Sequence, residues 1–191
     1  MNPGSTRPMK TSLLLSALLL VPLAARAETS AYAGQQTRAI KALSADEVAG
    51  YLAGHGLGLA RPAELNGYPG PRHVLDLAGE LKLTPDQVAE LTRVFDAMHA
   101  AAVPLGEQLV AGETELDRLF TGHRATDGAV RELTLDLGRL QGERRAVHLN
   151  AHLATIRILT PEQVAAYKHL RGYDDPGTPV HDHVHHQHGS P

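Results

Sequence analysis

Leu83-Thr84-Pro85-Asp86-Gln87 recurs almost unchanged as Leu159-Thr160-Pro161-Glu162-Gln163, and the stretch between the two copies decides the fold. Each copy reads as a helix start. Threonine is an N-cap whose hydroxyl accepts a bond from a free N–H of the first turn. Proline at the first helical position gives up only an N–H that would lack a helical partner there. The acid after it sits at the positive end of the helix dipole. Glutamine reaches back to the N-cap amide and completes a capping box, and the preceding leucine can act as a hydrophobic staple. Neither copy is a catalytic motif.

From the first copy, Val88, Leu91, Phe95, Met98, Ala102, Leu105, Leu109, Gly112, Leu116 and Leu119 recur at alternating steps of three and four. That is the a/d seam of a long helix. Pro104 lies inside it and should kink it. Gly122 ends it and Thr126 can cap a return helix. The return carries the same spacing through Val130, Leu133, Leu137, Leu140, Arg144, Val147, Ala151, Ala154 and Ile158, with Arg144 the one charge on the seam. The expected fold is therefore all-α: a long antiparallel helical hairpin with short flanking helices. Leu149, Leu153 and Ile156 mark another face of the return helix, so packing is expected from the short helices, from a second subunit, or from both.

Outward from the hairpin, Pro71 opens a short helix with Val74, Leu75, Ala78 and Leu81 on one face. His55 to Gly70 is rich in glycine and proline and reads as a loop or extended arm. Tyr51, Tyr68, Tyr167 and Tyr173 could anchor that arm or a partner, and spacing does not choose between the two. Ser44-Ala45-Asp46-Glu47 is another capping box, opening a short helix to about Gly54. Arg7 and Lys10, the apolar run Thr11 to Ala25, and Ala25-Arg26-Ala27 have the form of a cleavable secretory signal, with an uncleaved anchor as the alternative. The expected organisation is a signal over 1–27, a flexible leader and arm over 28–70, a helical domain over 71–172 and a disordered His-rich tail over 173–191. Removing the signal takes away Arg7, Lys10 and Arg26 but no acid, so the net charge falls from −3 to −6. That balance argues against nucleic acid. Cysteine is absent, so neither disulfides nor thiolates hold the fold.

With two such helix starts flanking a hairpin behind a signal-like segment, the chain resembles the LTxxQ-motif family of small periplasmic helical proteins. The family includes Spy/CpxP/ZraP-like stress proteins and periplasmic heavy-metal sensors. The matching positions are Leu83, Thr84, Gln87, Leu159, Thr160 and Gln163. The resemblance implies a cradle-like homodimer or higher homo-oligomer, no enzymatic activity, and unfolded clients or an envelope sensor protein as partners. Its chaperone branch presents a basic concave surface, whereas this chain is acidic overall.

Histidine is the compositional outlier. His148 and His152 are four apart and share a helix face. A turn near residue 124 brings His99 level with them, so His99, His148 and His152 could form a site for zinc, or for copper or nickel. The alternative is three unconnected surface histidines. The tail segment His181, Asp182, His183, His185, His186 and His188 has a composition that commonly binds metal. No set of residues suggests catalysis. The sequence thus points first to a periplasmic divalent-metal buffer or sensor, and second to a metal-independent chaperone with no membrane insertion after signal cleavage.

Overall fold

The computed structural model describes residues 29–174; the signal-like segment and the His-rich tail lie outside them. Of the described residues, those from Gln35 onward form one compact unit. The described elements of this unit are a 3-10 turn, Gln35–Thr37, and six helices, with no strand among them, so the fold is all-α. The helices are α1 (Ala45–Leu52), α2 (Arg61–Leu65), α3 (Pro71–Asp76), α4 (Pro85–Thr121), α5 (Asp127–Ile158) and α6 (Pro161–Leu170).

All three boxes read from sequence form. Ser44, Thr84 and Thr160 accept from the amides of Glu47, Gln87 and Gln163, whose side chains return to the cap amides. Thr126 caps α5 through the Ala129 amide. The two long helices, 37 and 32 residues, make the hairpin. None of the seam positions is exposed. Gly112 lies directly against Leu137, the pairing that a turn near residue 124 requires. α4 runs unbroken through Pro104, which is exposed, so water can satisfy the carbonyl that the ring leaves without a donor.

The two glutamine boxes meet. Gln87 Nε2 donates to Gln163 Oε1 at 2.8 Å, and Gln163 Nε2 donates to Gln87 Oε1 at 3.0 Å. Gln87 also donates to the Ile158 carbonyl at 2.9 Å, and Gln163 to the Leu81 carbonyl at 3.3 Å. The paired amides thereby clasp the open end of the hairpin, because α6 starts where α5 ends. Around the clasp sits one apolar core, built on Val74, Leu81, Leu91, Leu159 and Tyr167. A second core, Leu109, Leu137 and Leu140 with Tyr51 and Leu105 against them, lies farther up the hairpin. Fully burying a leucine is worth about 1.5–3 kcal/mol, so these two clusters carry much of the stability.

The chain before α4 folds back onto the hairpin, which covers faces that a lone hairpin would leave wet. Ile40 and Leu43 of the expected leader are buried, and Lys41 pairs with Asp117 at 3.4 Å. Within the arm, Arg61-Pro62-Ala63-Glu64-Leu65 forms a turn and a half of helix rather than remaining extended. Proline is compatible with that first turn, and helical winding lets Glu64 face α6.

Candidate functional site

Between the two apolar cores, α5 buries a polar layer of Arg144, His148, His152 and Thr155. The glycine-rich arm lies across it. A Cβ on Gly54 would come within 3.3 Å of His99, one on Gly56 within 3.5 Å of His148, and one on Gly70 within 3.0 Å of His152. At Gly54 and Gly70 a side chain would crowd the imidazole, whereas at Gly56 it would make only ordinary contact. Gly54 also has φ +65, a left-handed conformation that glycine adopts without strain.

Arg144 donates from its Nη2 to the His55 carbonyl and stacks over Tyr51, its guanidinium carbon 4.5 Å from the ring centroid. The charge on the seam thus has a purpose: it ties the end of α1 to α5 through one hydrogen bond and one cation–π contact. Its Nε remains without a partner, as does His148 Nε2. Burial, the Arg144 charge and the neighbouring His152 push the His148 pKa down to about 4, so its ring is neutral near pH 7. His152 Nδ1 lies 2.7 Å from the Tyr68 carbonyl. A carbonyl only accepts, so Nδ1 carries the proton and donates.

Glu64 fastens the arm at its other end. It accepts from the hydroxyls of Tyr167 and of Tyr173, the latter at 3.1 Å, and from the Gly70 amide at 3.2 Å. Arg171 Nε stands 3.7 Å away. Burial and the bond to Glu64 raise the Tyr167 hydroxyl well above its ordinary value, which keeps it a donor. Of the four tyrosines that could anchor the arm, Tyr167 and Tyr173 do so. Sequence reading did not single out Glu64, whose signal is only that an acid sits in a glycine-proline segment.

Arm and hairpin line a half-open cavity of about 930 Å³ with His99, His148 and His152 all on its wall. The three expected histidines are therefore gathered at one place, His99 exposed and the other two buried. Among the described residues, however, no three His, Asp or Glu side chains are placed so that they could hold a metal ion. His148 has the neutral form a ligand needs, although the Arg144 charge beside it opposes a cation, and the bond from His152 Nδ1 to Tyr68 leaves the lone pair on its Nε2. The tail histidines His181, His183, His185, His186 and His188, with Asp182, lie outside the described residues.

The opposite side of α5 has a different character. Leu135 and Leu153 are exposed, with relative areas of 64% and 42%, and Leu149 and Ile156 are half-buried. Helical spacing aligns them with Gly138, Gly142 and Ala146 in a stripe turned away from the seam. Arg131, Arg145 and Arg157 flank the same stripe, with Asp127 the acid at its N-terminal end.

The family model described as LTXXQ motif family protein matches residues 71–171, from the start of α3 to the end of α6. The chain belongs to the LTXXQ motif family. No curated protein and no solved structure matches it. The two motifs that define this LTXXQ chain are the ones whose glutamines clasp. The family is typically periplasmic, and membership supports a stress-related role in the envelope. Among the described residues of this LTXXQ chain, no helix is long and apolar enough to cross a membrane.

Proposed function

We propose that this chain is a periplasmic stress protein that holds unfolding polypeptides on the outer face of α5. One observation carries the reading: the stripe of Leu135, Leu149, Leu153 and Ile156, flanked by Arg131, Arg145 and Arg157, is apolar and basic although the chain is acidic overall. Unfolded chains expose apolar side chains, and such a stripe gains free energy by covering them. The cations add attraction for clients with excess acid and are screened by salt.

The test is suppression of light scattering by an unfolding client, with the full chain and a chelator present. Suppression should persist with chelator, and Leu153→Asp should weaken it severalfold while helicity is unchanged. Suppression that needs added metal, or that Leu153→Asp leaves intact, overturns the reading.

A second reading, uptake of a divalent transition metal, zinc first, is favoured by the neutral His148 together with the tail composition. Metal binding requires deprotonated imidazole, so binding by tail histidines of ordinary pKa should fade as pH falls through about 6.5. Zinc, copper and nickel calorimetry would compare the full chain with one ending at Asp174, which keeps the Tyr173–Glu64 bond. Binding lost with the tail assigns the metal to the tail; no binding in either chain removes this reading.

A further inference from the structure

The cavity under the arm has a composition that the client-holding reading does not use. Its wall carries Arg61 and Arg72 and five histidines, against a single acid, Glu64. Glu64 is already engaged by two tyrosine hydroxyls and a backbone amide. Among the described residues Arg61 makes no ion pair, and Arg72 pairs only with Asp76 on its own exposed helix surface. The remaining wall is apolar, through Leu57, Leu65, Pro71, Phe95 and Met98.

His148 lines this cavity, is only 4% exposed, and has an Nε2 without any hydrogen-bond partner. The volume, about 930 Å³, lies in the range of small-molecule sites of roughly 300–1,000 Å³.

We propose that the cavity between the arm and the hairpin binds one small amphiphilic carboxylate per chain. The apolar body packs on Phe95, Met98 and Leu57, and the carboxylate is held at the mouth by Arg61 and Arg72. Guanidinium and carboxylate match in shape and charge, which sets the preference for an anion over a neutral amphiphile of the same length.

Decanoate and its neutral counterpart decanol serve as probes, titrated by calorimetry into the full chain below the concentration at which either aggregates. Decanoate should bind once per chain and about tenfold or more tighter than decanol, since charge-assisted bonds are the stronger ones. The double substitution Arg61→Gln with Arg72→Gln should remove that preference and leave decanol binding as it was. Leu153→Asp, on the far side of α5, should leave decanoate binding unchanged. Equal affinity for the two probes overturns the proposal, as does absence of saturable binding. Loss of decanoate binding on Leu153→Asp also overturns it, by moving the site to the outer stripe. None of these outcomes bears on client holding, which is read by light scattering.

Discussion

Gly106 and Gly138 both lie well inside long helices, each a residue that ordinarily weakens a helix by about 1 kcal/mol relative to alanine. Their surroundings give them opposite roles. A Cβ on Gly106 would meet the backbone carbonyl of Tyr51, where α1 crosses α4 too closely for any side chain. A Cβ on Gly138 meets nothing. Gly106→Ala should therefore destabilise by about 3 kcal/mol, the upper end for overpacking, because backbone rather than a flexible side chain must move. Gly138→Ala should stabilise by about 1 kcal/mol. Thermal or urea unfolding of the two variants checks both; a mild Gly106→Ala would mean that α1 does not pack there. Sequence alone could not separate the two glycines, since the difference lies in a helix far away along the chain.

At the scale of elements, helix boundaries were legible because capping is local. Ser44, Thr84, Thr126 and Thr160 each announce a helix within four residues, and all four caps form. The seam was legible because its period is local too. What the glutamines do beyond their own caps was not, since it depends on α4 and α6 arriving side by side. If the clasp works as a unit, Gln87→Ala and Gln163→Ala should each cost on the order of 1–2 kcal/mol, from a lost cap bond and an unpaired partner amide. The double variant should cost clearly less than the sum of the two, because the second substitution removes a partner already bereft. A double-mutant cycle by urea unfolding measures this, and strict additivity would show that each glutamine serves only its own helix. Arg144 teaches the same lesson in reverse. Its spacing put it on the seam, but its partners Tyr51 and the His55 carbonyl belong to a segment whose docking no local pattern encodes.

For the whole molecule, the polar layer between the two apolar cores makes the fold sensitive to acid. His148 has a folded pKa of about 4 against 6.5 for an ordinary histidine, because burial and Arg144 disfavour its charged form. The unfolded chain therefore binds this proton more readily than the folded one. The stabilisation is fully present above about pH 6.5 and is lost as pH falls from there toward 4. Each pKa unit is worth about 1.4 kcal/mol, so the ceiling is about 3 kcal/mol. Urea midpoints should fall between pH 7 and 4.5, and His148→Gln should flatten that part of the profile. A profile with the same slope in the variant would place the acid sensitivity elsewhere. The candidate site was only half legible for related reasons. Histidine spacing predicted the shared face, but the arm that roofs it, and the Glu64 contacts that fasten the roof, arise from tertiary meeting alone.

The amide clasp has one more consequence. Proteins exported from the cell often lock the ends of a small fold with sulfur, and such locks open or scramble when the surrounding redox balance shifts. Here the same closure, joining residues far apart in sequence, is made by two carboxamides in a chain without cysteine. Oxidants and reductants have no thiol or disulfide to act on at this joint. The hairpin stays shut under the chemical assault that would unfasten its disulfide-bonded neighbours.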